Sequence, residues 1–186
     1  SLKSIGGDFE VNANSSLNSL SSFGGLESLE TIGGNFRVIA ESDHSLRFLS
    51  SFKGLSGLKS IGGDFEVNAK LFCFEYLASF EGLENLETIG GNFKVIAESS
   101  LESLSSFKGL SSLKSIGGDF EVKARVLESF EGLENLTNIG DKLTIKGCSS
   151  LNNIDALKNI ESLNDISITT CSKLYDFCVL KNVVQN

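Results

Sequence analysis

Two hydrophobic periods alternate along this chain. Over residues 9–13, Phe9, Val11 and Ala13 alternate with Glu10 and Asn12, the period of a short strand with one face buried. Then Leu17, Leu20, Phe23, Leu26, Leu29 and Ile32 follow at steps of three. An α-helix advances about 100° per residue, so each such step would slip by about 60° and smear the apolar stripe around the cylinder. A 3₁₀-helix holds a period of three but rarely beyond one turn. The second stretch is therefore expected to be an extended, cornered path with short strand or 3₁₀ pieces, one apolar residue inward at each corner.

The pair of patterns repeats. The heptapeptide Ile5-Gly6-Gly7-Asp8-Phe9-Glu10-Val11 returns at Ile32, Ile61, Ile89 and Ile116, with weaker echoes from Ile139 and Leu163. Its anchors Phe9, Phe36, Phe65, Phe93, Phe120, Leu143 and Ile166 are spaced by 27, 29, 28, 27, 23 and 23 residues. A period in the twenties marks a stacked solenoid, in which one turn cannot bury its own apolar face and neighbours must cover it. The fold expected is mainly β: a right-handed solenoid with one main strand per turn, about seven turns of 23–29 residues and a parallel sheet. The Gly-Gly pair between the two periods implies a positive φ or a backbone approach too tight for a Cβ. The segment between strand and next Phe varies in length, which places residues 39–51 and 68–79 on the most variable part of the surface.

A longer period runs over this one. Odd copies read Lys-Ser-Ile-Gly-Gly-Asp-Phe-Glu-Val and even copies Glu-Thr-Ile-Gly-Gly-Asn-Phe-Arg/Lys-Val, so the unit of duplication is two turns. If turns stack in register, the outward strand residues run Glu10, Arg37, Glu66, Lys94, Glu121. A second row is Lys3, Glu30, Lys59, Glu87, Lys114, and a third Lys53, Glu81, Lys108, Glu131. Opposite charges would then lie a strand spacing apart, about 4.8 Å, each such pair contributing roughly 0.2–1 kcal/mol. All three rows point to the same register and to a charge-alternating outer face.

Length and composition narrow the class. The 186 residues are 40% hydrophobic and suffice for one domain with a real core. That domain is expected to span 1–186, with regular two-turn units over 1–146 and shorter turns with a C-terminal cap over 147–186. A net charge of −8 argues against a nucleic-acid partner, which demands clustered Lys and Arg. No apolar run approaches the roughly 18 residues needed to span a bilayer, so direct membrane insertion is not expected. The chain holds no Met and starts inside a repeat, as a mature or truncated segment would. Its first turn, with Leu2, Ile5, Phe9 and Val11, has no visible cover. Self-association through that open strand edge, or pairing with an upstream segment, is expected.

The pattern Leu-x-x-Leu-x-x-Ile-Gly-Gly-x-Phe-x-Val followed by Ser-Leu-x-x-Leu resembles the receptor L-domain family, relatives of leucine-rich-repeat proteins. Its members occur in insulin- and growth-factor-receptor ectodomains, fungal cell-wall proteins and surface proteins of Bacteroides-type gut bacteria. The later turns, Ile160-x-x-Leu163-x-x-Ile166-x-Ile168-x-x-Cys171-x-x-Leu174, resemble ordinary leucine-rich repeats. The resemblance implies export to the cell surface or secretion, and a binding or adhesion role toward a protein or glycan. Phe stands for Leu at the strand anchor five times, and the receptors' cysteine-rich neighbours are absent, so hormone binding does not transfer.

The residue types give little to catalysis, and no cofactor or metal site is expected. Gly-Gly-Asp-Phe superficially resembles a diguanylate cyclase signature, but it recurs every second turn and becomes Gly-Gly-Asn-Phe between. The one histidine, His44, is too little for a triad or a metal site. Cys148 and Cys171 hold equivalent positions, 23 residues apart. Stacking would place their Cα atoms within the 4.4–6.8 Å range of a disulfide, while the leucine-rich-repeat resemblance implies free inward thiols bonded to loop backbone; both readings stand. Aligning Leu77 with Leu20 puts Phe74 in the core and sets Phe72 and Tyr76 on polar positions, as partner contacts or as rings folded over a neighbouring turn. The candidate contacts are Phe72, Tyr76, His44 and Arg47. The expected function is a non-enzymatic binding or adhesion module; a structural spacer displaying another domain is the alternative.

Overall fold

The computed structural model describes residues 1–13, 17, 19–42, 45–69, 73–97 and 103–180. Short and longer strands alternate along the chain: β1 (Ser4–Ile5), β2 (Phe9–Ala13), β3 (Thr31–Ile32), β4 (Phe36–Ala40), β5 (Ser60–Ile61), β6 (Phe65–Ala69) and β7 (Thr88–Ile89). They continue as β8 (Phe93–Ala97), β9 (Ser115–Ile116), β10 (Phe120–Ala124), β11 (Asn138–Ile139), β12 (Lys142–Lys146) and β13 (Asp165–Thr169). The longer strands form a seven-stranded parallel sheet in the order β2-β4-β6-β8-β10-β12-β13, and the short ones a six-stranded sheet beside it. The molecule is a right-handed parallel β-solenoid.

The register is the one the charge rows demand. Phe9 pairs with Phe36, Phe36 with Phe65, Phe65 with Phe93 and Phe93 with Phe120. Glu10, Arg37, Glu66, Lys94 and Glu121 therefore stand side by side. In the second row Lys59 Nζ lies 2.7 Å from Glu30 and Lys114 Nζ 2.8 Å from Glu87. The third row closes in twos, Lys53 to Glu81 and Lys108 to Glu131, both at 3.2 Å. The Lys59 hydrogen bond, then its charge, hold the Glu30 carboxyl below the usual carboxylate range; these pairs are exposed, and their work is to select register more than to add stability.

The three-residue period has a specific cause. Leu55 N–H donates to Phe52 O at 3.1 Å and Leu58 N–H to Leu55 O at 2.9 Å. The two leucines after each second-column Phe thus close consecutive turns that point apolar side chains inward, while the Phe N–H itself bonds the next coil, as Phe52 N–H to Glu81 O at 2.8 Å. In the described residues 3₁₀ structure is confined to Asp155–Asn159 and Cys178–Leu180.

The core is a zipper of phenylalanines. One column is the strand anchors; the other is Phe23, Phe52, Phe80, Phe107 and Phe130. Within the second column rings lie 5.2–5.8 Å apart, and between columns about as close, as in Phe36–Phe52 at 6.1 Å and Phe107–Phe120 at 5.7 Å. Such offset and edge contacts add roughly 0.5–1.5 kcal/mol beyond burial. Phe36, Phe65, Phe93 and Phe120 are fully buried, whereas Phe9, in the end coil, is partly exposed.

Of the two explanations for Gly-Gly, close approach holds and positive φ does not. A Cβ on Gly33 would lie 2.6 Å from the Gly6 carbonyl oxygen, and its equivalents on Gly62, Gly90, Gly117 and Gly140 would likewise strike the preceding glycine. Positive φ belongs instead to the glycine two residues after each second-column Phe, as at Gly82 (φ 103°). Gly6 and Gly7, in the first coil, have nothing within 4 Å of a built Cβ.

Alternation of Asp and Asn before the strand anchor builds a second ladder. Asp64 N–H donates to Asn35 Oδ1 and Asn92 N–H to Asp64 Oδ1, both at 2.7 Å, while Asn92 Nδ2 reaches the same carboxylate oxygen at 3.0 Å. Asp119 N–H then donates to Asn92 Oδ1 at 2.8 Å. Each side chain satisfies a backbone N–H of the next coil, and each Asn places an amide between two carboxylates. Asn92→Asp removes one donor and lines up three carboxylates. It is expected to cost about 1–2 kcal/mol in urea unfolding at neutral pH. Repeating the titration below the carboxylate range should shrink that loss, because the added group is then neutral.

Candidate binding surface

The residues that break the repeat gather on two adjacent coils. Leu46 and Phe74 are fully buried and hold φ of 51° and 52°, a left-handed backbone unusual for bulky residues. Each opens a four-residue turn closed by Leu49 N–H to Leu46 O at 3.1 Å and Leu77 N–H to Phe74 O at 3.3 Å. Arg47-Phe48 and Glu75-Tyr76 occupy the central positions of those turns and point away from the core. Because the turns stack, like positions meet. Phe48 and Tyr76 rings are parallel within 6°, with centroids 6.1 Å apart. Arg47 Nε donates to Glu75 Oε2 at 2.7 Å, and the guanidinium carbon sits 5.9 Å from the Phe48 centroid. The Glu75 hydrogen bond, then its charge, raise the Arg47 pKa above the ordinary arginine value. Ser103 Oγ, from the next coil, donates to the Glu75 carbonyl at 2.8 Å.

Both rings remain about half exposed, Phe48 at 51% and Tyr76 at 49%. The equivalent positions in other coils are Ser19, Ser103 and Val126, so the aromatic pair is local to this place. It offers a flat apolar strip flanked by an Arg–Glu pair, suited to stacking against a sugar face or an apolar side chain.

The expected contacts divide accordingly. Tyr76 does fold over a neighbouring turn, onto Phe48, and keeps half its surface in doing so. Arg47 lies in the same patch, locked to Glu75. Phe74 is core, as the alignment on Leu77 requires. Phe72 and His44 fall outside the described residues. Phe48 was missed by sequence reasoning; aligning Leu49 with Leu20, as was done for Leu77, sets it on the same polar column as Tyr76.

The cysteines resolve in favour of free thiols. Cys148 Sγ–H donates toward the Lys146 and Val122 carbonyls at 3.6 and 4.0 Å, and Cys171 toward Thr169 and Ile145 at 3.4 and 3.9 Å. Burial pushes the Cys148 thiol up to about 11, which makes it a poor nucleophile. Among the described residues no group of three or more His, Cys, Asp or Glu could hold a metal ion, and no helix is long and apolar enough to cross a membrane. Comparison with protein-family models, curated proteins and solved structures finds no match for this chain.

Proposed function

We propose that this chain is a non-enzymatic binding module, at the cell surface or secreted, that recognises a protein or glycan through the stacked Phe48–Tyr76 strip. The reading extends the sequence resemblance to receptor L-domains and leucine-rich repeats, whose solenoids display contact residues on a rigid frame. The observation that carries it is the parallel aromatic pair, half exposed where other coils place Ser or Val. Large apolar rings left in water on a polar column oppose folding economy, and a partner that covers them recovers that surface. Arg47 and Glu75 beside them supply hydrogen-bonding groups already fixed in place, which lowers the ordering cost of recognition.

The test is a glycan and extracellular-protein array probed with the native chain and with Phe48→Ala/Tyr76→Ala. Any ligand of this surface should lose about tenfold to hundredfold affinity in the double variant, with the unfolding midpoint little changed, since both rings lie outside the core. Undiminished binding by the double variant removes the strip from recognition.

A spacer role is the second reading, favoured by the unbroken Phe zipper through five coils. It requires no ligand, so an array without a specific signal, together with a rod that holds its shape in small-angle scattering, supports it over binding.

A further inference from the structure

A second feature breaks the repeat at the other end of the sheet, and it is electrostatic. Val122 pairs with Ile145 and Ile145 with Ile168. The next outward positions therefore carry Lys123, Lys146 and Thr169 in successive strands. In the earlier coils this column reads Asn12, Ile39, Asn68, Ile96. Elsewhere on the outer face charges alternate in sign; here two ammonium groups stand on neighbouring strands, an arrangement that is destabilising unless an anion answers it. Arg125, just beyond the end of β10, adds a third cation. Together with Gly147 and Thr170 these three line a cleft of about 220 Å³.

Internal neutralisation is incomplete. Lys123 Nζ lies 2.8 Å from Glu121, on its own strand. Among the described residues neither Arg125 nor Lys146 makes an ion pair, and no acid lines the cleft. The rim has an independent oddity. Thr170 holds φ 58° at the position where the preceding coil has Gly147 at 69°. A β-branched residue in the left-handed region is a genuine outlier, and such strain is retained where a particular side chain is wanted. Here the residue kept in place of glycine brings a hydroxyl donor to the mouth of a cationic cleft.

We infer that this cleft binds a small oxyanion, a sulfate, phosphate or carboxylate group, through Lys123, Arg125 and Lys146 with the Thr170 hydroxyl at its edge. Arg and Lys together supply the charge-assisted donors such a group needs. The chain's net charge of −8 disfavours a long polyanion, which would feel the whole surface, and leaves a single oxyanion as the matching ligand. The inference stands apart from the aromatic strip and does not depend on it.

The test is calorimetric titration at constant ionic strength with sodium sulfate, inorganic phosphate, glucose 6-sulfate and methyl glucuronide, against sodium chloride and methyl glucoside as blanks. Saturable binding of at least one oxyanion is expected, weakened about tenfold or more in Arg125→Gln and in Lys146→Gln. Lys94→Gln, a cation elsewhere on the outer face, should leave affinity unchanged. Both cleft variants are surface changes, and circular dichroism checks that they fold. Binding of the free ions and the sugar-borne groups alike identifies an inorganic anion site; binding of the sugar-borne groups alone identifies an acidic saccharide. No saturable binding by any of the four probes, or equal binding by both cleft variants, overturns the inference.

Discussion

Gly82→Ala is expected to destabilise the fold by about 3–5 kcal/mol, as should the same change at its equivalents Gly54 and Gly109. Two penalties coincide there. The backbone stands at φ 103°, where an L side chain is strained. A Cβ would also run into the Phe52 carbonyl and the Lys53 nitrogen of the preceding coil. Backbone cannot rotate aside as a side chain can, so two coils must part and their ring contacts with them. The end coil separates the two effects. Gly25 has φ 96° but nothing within 4 Å of its Cβ, so Gly25→Ala should cost only the conformational part, about 1–2 kcal/mol. Gly6→Ala, with neither penalty, should be neutral or stabilising by up to about 1 kcal/mol through the unfolded chain. Urea unfolding of the three variants checks the order; equal losses at Gly25 and Gly82 would mean that coil contact contributes nothing.

Phe65→Ala carries the next largest effect, about 3–5 kcal/mol. Phe65 is fully buried and its ring meets four others: Phe36 and Phe93 at 5.1 Å, Phe52 at 5.8 Å and Phe80 at 6.1 Å. Truncation opens a void in the middle of the zipper that rigid coils on either side cannot close. Phe65→Leu should cost under about 1.5 kcal/mol, since the same column is filled by Leu143 and Ile166 further on. Phe9→Ala should be milder than Phe65→Ala, because Phe9 stacks on one side only, against Phe36 at 5.3 Å and Phe23 at 6.1 Å. Amide exchange resolves where the loss is felt: in a nearest-neighbour array it should be deepest in the coils bearing Phe36, Phe65 and Phe93. A uniform loss of protection over all coils, with Phe9→Ala as damaging as Phe65→Ala, would contradict the zipper.

Both predictions rest on contacts between residues one coil apart, which is why so much was legible in advance. A solenoid turns a long-range problem into a local one: the neighbour of Phe36 is whatever stands one period away. Period two fixed the strands, period three the corners, and the alternating Lys and Glu rows the register, since a slip of one residue would part the opposite charges and turn Phe outward. The chain's own pattern thereby determined the parallel sheet, the anchor column and the burial of Phe74.

Distances between coils were beyond its reach. Gly-Gly looked equally suited to a positive φ or a tight approach, and only the stacked backbone shows that approach governs Gly33 while the positive φ sits at Gly82. The odd and even copies displayed Asp and Asn in turn, but the role of that alternation emerges only where Asn92 donates to Asp64 in the neighbouring coil. Tyr76 was visible as an aromatic on a polar column, but its partner Phe48 and the Arg47–Glu75 lock depend on how two left-handed turns face each other. The meeting of Lys123, Arg125 and Lys146 around one cleft likewise needs three dimensions. Sequence period sets which residues become neighbours; the azimuth and separation of their side chains, and hence what they do together, belong to the packed coils.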